Sequence, residues 1–374
     1  MKKLLLPWGI KIIMYIAISI IDIVALLYLS RLLHIGTMLN SDRRKPFLFG
    51  IVLTIIITLS EVGTILVGNG SPGLRSINIF CNILGFALTP MIPLVLITIF
   101  DRNILKTHKL LLLPTVLNIV AVVLSPLCRL IFYVDVNNHY IRGNYFFVFV
   151  AVYIINLLIL VTSTMYIGRK YHYPIMRKMI VLSLFTVIGT SIQLVNPAVY
   201  SSWHCVTLSL FLYFMLMSEF DSSFDTLTGL YNRAAFDKAA KQMMSPKAFS
   251  IILLDINDFK IINDTYGHDY GDAVIKAVAA IIKDSFDKHY TCYRIGGDEF
   301  SIIGNDTDQK KMESHLRSMA NALAEKRGND SRLPTVAYGY SIFQGVEKPD
   351  FQKNFKEADR QMYHFKKLQK ANAK

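Results

Sequence analysis

The sequence predicts two folds in one chain: an all-α polytopic membrane bundle over residues 1–219, and an α+β domain over residues 220–374. Three observations predict this. Apolar stretches of membrane-spanning length fill the first part and stop near Glu219. Beyond it, short β-prone runs alternate with amphipathic helical ones around an antiparallel hairpin, the pattern of helices laid over a sheet. The formal net charge of +13 is also unevenly placed: residues 1–219 hold 17 Lys+Arg against 6 Asp+Glu, and residues 220–374 hold 23 against 21. The excess therefore sits in short loops between apolar stretches, where it sets the orientation of a membrane protein. A nucleic-acid partner is not expected, because the second half shows no basic face with interleaved aromatics.

Seven apolar stretches are read as spans, at about 10–33, 47–67, 77–100, 110–133, 145–167, 179–198 and 202–219. The first follows Lys2 and Lys3 but is too long for a signal peptide and contains Asp22. Pro90, Pro93 and Pro114 are positions where the third and fourth spans would kink. Basic residues cluster after the first, third and fifth stretches, at Arg43, Arg44 and Lys45, at Arg102, Lys106 and Lys109, and at Arg169, Lys170, Arg177 and Lys178. The other loops carry only Arg75 and Arg142. Seven spans then put the N-terminus outside and the C-terminal domain in the cytoplasm, in the cell membrane. Asp22 and Glu61 fall inside spans, either lining a ligand cavity or making an interhelical hydrogen bond. Cys81, Cys128, Cys205 and Cys292 have no metal-ligand spacing and read as buried thiols.

Only Glu219 to Phe224 separate the last span from the first motif of the second domain, so that span is expected to run almost directly into it. There Asn232 is placed to cap a helix reaching about Met244, which Ser245 and Pro246 end. Residues 249–256 form an apolar run suited to a central strand buried on both faces, ending in Asp255. A helix over about 269–286 comes next, then strands at 290–295 and 300–303 around Gly296-Gly297-Asp298-Glu299. The two glycines are expected to supply positive φ at the turn. A helix near 308–326, a strand at 335–343 and a helix near 350–369 complete the domain.

Four segments carry the chemistry. They are residues 225–233 (Asp-Thr-Leu-Thr-Gly-Leu-Tyr-Asn-Arg), the run Asp255-Ile-Asn-Asp-Phe-Lys with Asn263 and Asp272 beyond it, the Gly-Gly-Asp-Glu turn, and Ala358, Asp359, Tyr363, Lys366 and Lys370 in the last helix. Together, at these spacings, they resemble the diguanylate cyclase (GGDEF) family over roughly residues 220–370. The resemblance implies a palm-like nucleotide cyclase domain that condenses two GTP into cyclic di-GMP and two pyrophosphates. It also implies a homodimer and downstream cyclic di-GMP receptors.

By the same resemblance, Asp255, the Ile256 carbonyl, Asp298 and Glu299 hold Mg²⁺ (or Mn²⁺), with Asp298 and Glu299 catalytic. Asn263 and Asp272 read guanine, and Phe259, Lys260, Lys366 and Lys370 complete the GTP site. Lys370 stands where the family more often has Arg, which keeps the charge and loses the bidentate fork. Many family members also bind their product through an Arg-x-x-Asp motif. Here Asp287 and Tyr290 occupy those two positions. A rival reading is a catalytically silent module that holds GTP or docks a partner.

Overall fold

The computed structural model describes residues 8–35, 39–68, 71–170, 176–195, 201–243, 248–330, 332–345 and 350–372. The chain divides into two compact units, Met1–Asp221 and Ser222–Lys374.

The first unit is helical: α1 (Trp8–Ile35), α2 (Ser41–Val67), α3 (Arg75–Leu88), α4 (Met91–Phe100), a single turn α5 (Ile104–Thr107), α6 (Leu113–Cys128), α7 (Phe146–Lys170), α8 (Met176–Val195) and α9 (Ser202–Asp221). Among the described residues, five stretches are long and apolar enough to cross a membrane: Ile12–Ile35, Ser41–Val67, Lys109–Cys128, Phe146–Ile167 and Ser202–Asp221. The expected third span is not one continuous helix. It breaks at Thr89–Pro90 into α3 and α4, a pair bent by 40° that makes a sixth crossing if counted as one. Pro90 explains the break, since it has no N–H to give and its ring crowds the preceding turn. Asn118 and Asn156 donate to the Phe86 and Pro90 carbonyls at the break, at 2.9 and 2.6 Å. Pro114 sits in the first turn of α6, where proline is tolerated, and kinks nothing. α8 covers most of the sixth expected span. Residues 196–200, which hold the end of that span and the turn after it, lie outside the described residues.

The fourth expected span, 110–133, runs too far. α6 stops at Cys128, where Arg129 takes a left-handed conformation (φ 54°). Phe132–Val134 (β1) then pairs antiparallel with Tyr140–Arg142 (β2). An apolar run cannot by itself say whether it is helix or strand. The hairpin is fixed by polar contacts distant in sequence: Arg75 donates to the Val134 and Asp135 carbonyls, and Asn78 to Asn138. Both carboxylates within spans bridge helices. Asp22 of α1 meets His204 of α9 at 2.9 Å, and Glu61 of α2 accepts from Gln193 of α8 at 2.9 Å. The four cysteines are free, but none is fully buried, and Cys128 is exposed at the end of α6.

The second unit contains α10 (Arg233–Gln242), β3 (Phe249–Ile256), α11 (Phe259–Tyr266), α12 (His268–Ser285), β4 (Tyr290–Arg294), β5 (Glu299–Gly304), α13 (Gln309–Asn329), β6 (Val336–Phe343) and α14 (Phe351–Asn372). Asn232 caps α10 by accepting from the Ala235 N–H, a contact worth about 1 kcal/mol. The sheet runs β4-β5-β3-β6 with every pairing antiparallel. β3 is buried along its whole length, and its side chains alternate between faces. Ile252, Leu254 and Ile256 join residues of α12 and α13 in one core. Phe249, Ile251 and Leu253 join Phe236 of α10 and Phe351, Ala358 and Met362 of α14 in the other. The result is a three-layer α+β domain. The short helix α11 was not legible as a separate element.

Candidate active site

The alternation along β3 decides where Asp255 points. It shares the odd-numbered face with Phe249, Ile251 and Leu253, the face covered by α14. Asp255 is register partner to Glu299 at the start of β5, so the two carboxylates lie side by side across a strand pair. Ile256 is fully buried, and its N–H donates to the Asp298 carbonyl at 3.2 Å, which ties the end of β3 to the tip of the hairpin. Asp255, Ile256, Asp298 and Glu299 are thus brought to one place.

The turn achieves this differently from the expectation. Neither Gly296 nor Gly297 lies in the left-handed region. A Cβ at Gly296 would stand 2.7 Å from the Glu299 carboxylate, so a side chain there would require Glu299 to turn away. Gly297 faces open space. The left-handed residues of this site are Asp258 (φ 53°) and Gly267 (φ 83°), at the two ends of α11.

The electrostatics are those of crowded carboxylates. Burial raises the Asp298 carboxyl above its usual range, and the charge of Asp255 raises it further, against Lys366 and Arg294. Glu299 is raised by burial, then by Asp255, Asp298 and Asp359, with Arg233 opposing. Negative charge is therefore in excess here, and a cation would relieve it. Among the described residues, no group of three or more His, Cys, Asp and Glu side chains converges closely enough to hold a metal ion.

Two lysines of α14 are already paired. Lys366 donates to Asp255 at the strand end. Lys370 lies 2.7 Å from Asp258, and this carboxylate raises its ammonium's pKa. α14 is registered against the sheet by Gln369, which accepts from the buried Asn257 amide at 2.6 Å. Lys260 is exposed on α11. Phe259 and Asn263 pack against Gly271 of α12: a Cβ at Gly271 would stand 1.9 Å from the Asn263 side-chain oxygen and 3.3 Å from the Phe259 ring. Asp272, the next residue, is exposed beside them. The proposed guanine readers therefore flank one glycine.

Sequence reasoning missed Arg294. Its guanidinium donates to the Gly297 carbonyl at 2.8 Å and, through Nη1, to both oxygens of Asp225 at 3.1 and 3.2 Å. Burial works upward on Asp225, but hydrogen bonds from Thr228 and Arg294 outweigh it and hold the carboxyl below its usual range. Segment 225–233 thus braces the hairpin tip from behind through Asp225. Its Arg233 adds a 3.4 Å hydrogen bond to the Ile295 carbonyl. The signal was present, an Arg two residues before the paired glycines, but a strand residue reads as a solvated side chain until its partner is located.

The fold and site define a class: a helical, apolar N-terminal region followed by an α+β domain with carboxylates gathered at a hairpin tip. The family model for the diguanylate cyclase GGDEF domain matches residues 222–372, and these residues form a GGDEF domain. The chain is 31% identical over 153 residues to diguanylate cyclase VdcA of Vibrio cholerae, covering 40% of this chain and 45% of that one. It is 28% identical over 205 residues to an uncharacterized membrane protein of Staphylococcus aureus, covering 52% and 54%. The chain thus spans about half the length of the curated relatives it matches. Among solved structures it is similar to the GGDEF domain of DgcB from Caulobacter crescentus in complex with c-di-GMP (27% identity, 39% of this chain and 90% of that one, TM-score 0.35). It is also similar to the active GGEEF domain of a diguanylate cyclase from Vibrio cholerae (28%, 36% and 85%, TM-score 0.31).

Proposed function

We propose that the protein is a membrane-bound diguanylate cyclase that condenses two GTP into cyclic di-GMP and two pyrophosphates, controlled by its helical region. The observation that carries this reading is the meeting of Asp255, Asp298 and Glu299 beside Lys366 at the junction of β3 and β5. Asp255, Asp298 and the Ile256 carbonyl would hold a divalent cation, Mg²⁺ or Mn²⁺, with Glu299 beside it. The cation, when bound, neutralises the triphosphate and polarises the attacking and leaving oxygens.

The chain's own residues do the rest. Lys366 and Lys370 exchange their carboxylate partners for phosphate oxygens as the nucleotide arrives, and Lys260 adds a further positive charge. Asn263 and Asp272 bind the guanine edge, where a carboxylate accepts from N1–H and the 2-amino group, donors that adenine lacks. Phe259 packs beneath them. Glu299, whose carboxyl is raised above its usual range by burial and by the neighbouring carboxylates, would take the ribose 3′-hydroxyl proton. Each domain presents one GTP, so two copies facing each other make one product.

The helical region is proposed as a seven-helix membrane anchor and sensor over 1–219, with the GGDEF domain from 220 in the cytoplasm. Arg43, Arg102 and Lys178 each make an ion pair at one end of the unit, the end where α9 delivers Asp221. Arg75 engages the β1–β2 hairpin instead. That segregation supports a cytoplasmic exit. Reporter fusions after Lys109 and Lys178 should read as cytoplasmic and one after Arg142 as external. A cytoplasmic reading after Arg142 would break the topology. Binding of a non-hydrolysable GTP analogue, measured beside GTP turnover, separates a cyclase from a silent GTP module.

A further inference from the structure

Arg43 lies in the first turn of α2, and its guanidinium reaches α4 and α9. Nη1 donates to the Ile99 carbonyl of α4 at 3.0 Å and to the Met217 sulfur of α9 at 3.1 Å. Nε stands 3.3 Å from Oδ1 of Asp221, and the Phe220 ring lies 5.7 Å from Cζ. The other oxygen of Asp221 accepts from the backbone N–H of Asn40, the N-cap of α2, at 2.9 Å. Both side chains of the pair are only 13% exposed. The neighbouring pairs Arg102–Asp42 and Lys178–Glu219 are much more exposed, and pairs of that kind hold little. In a desolvated pair, removing one partner strands the other charge without water to replace it. Asp221 is the last residue of α9, and the GGDEF match begins at the next residue, Ser222. Asp221 is thus the residue at which the helical unit ends and the GGDEF match follows directly in sequence.

We propose that Arg43 and Asp221 form a latch that pins the last turn of α9 to α2 and α4 and holds cyclase turnover low until it opens. The proposal rests on the cyclase reading above and adds to it the point at which the helical region acts. Arg43→Gln, Asp221→Asn and the double variant would be compared with wild type as full-length protein in lipid nanodiscs, with Arg102→Gln as a control for a surface pair. Two readouts are taken: backbone hydrogen exchange over residues 217–224, and cyclic di-GMP formed from GTP.

Both single variants should exchange faster in that segment and turn over about fivefold faster or more, the usual range of such couplings. The double variant should be no faster than the faster single one, because one contact is being removed twice, and Arg102→Gln should match wild type. Exchange unchanged in both single variants overturns the latch. Faster exchange with unchanged turnover in an active wild type overturns its control of the cyclase. A wild type that makes no product contradicts the cyclase reading instead, and the exchange data still decide whether the latch exists.

Discussion

Lys366 of α14 donates to the carboxylate of Asp255, and Asp255 is the register partner of Glu299. One ammonium thus faces the carboxylates gathered where β3 meets β5, where the triphosphate is proposed to bind. Lys366→Ala should leave the fold intact and lower product formation by about tenfold or more, as expected for loss of a group that positions phosphate. Lys366→Arg should recover part of the rate. Turnover near wild type in Lys366→Ala would show that the pair is only structural.

The crowding gives a stability prediction of definite sign. Asp298 has its carboxyl raised in the folded state, first by burial and then by Asp255. A raised carboxyl favours folding while protonated. That contribution is complete below the unfolded value of about 3.9 and is lost as pH rises through the raised folded value. At pH 7, without divalent metal, the ionised group is therefore a cost. Asp298→Asn should raise Tm at pH 7 by a few degrees, the effect of about 1 kcal/mol, with a smaller gain at pH 4. The same variant should lose nearly all activity. A lower Tm at pH 7 would contradict the electrostatic account.

Much of this was legible in the sequence. The continuous apolar run of 249–256 located β3, and the paired glycines located the hairpin, because each signal is local. The close approach of Gly296 to Glu299 was not legible, since it depends on where the Glu299 side chain turns. Nor was β1–β2, which looks apolar and helical until Arg75 and Asn78 reach it from another helix. α11 was hidden because Asp258 starts it from a left-handed backbone without a side-chain cap. Asp22 and Glu61 could be placed within spans, but their partners lie 182 and 132 residues away.

Arg294 and Asp225 should behave as one unit. Arg294→Ala and Asp225→Asn each release the carbonyl side of the hairpin tip, and each should lower turnover by about tenfold. The double variant should be no worse than either single one, the mark of a shared contact. Losses that multiply in the double variant would show that the two residues act separately.

Product feedback should be weak. Asp287 stands where Arg would grip a phosphate, and it is engaged by Lys311 at 3.2 Å, which also holds Asp306 at 2.7 Å. Tyr290 is buried beside His315. A closed acidic cluster offers nothing to an anionic dinucleotide. Titration of cyclic di-GMP during turnover should leave the rate unchanged through the low micromolar range. Strong inhibition there, removed by substitutions at Asp287 or Lys311 and not by excess GTP, would contradict this.

The carboxylates at the junction of β3 and β5 are proposed above all to make cyclic di-GMP. The most direct test incubates the purified full-length protein with GTP and Mg²⁺ and identifies the products by mass, beside Glu299→Gln, which removes one charge at nearly constant shape. Wild type should yield cyclic di-GMP and pyrophosphate, and the variant roughly a hundredfold less or none, as for loss of a catalytic group. No cyclic di-GMP from wild type that binds GTP, or equal amounts from both proteins, would contradict the account.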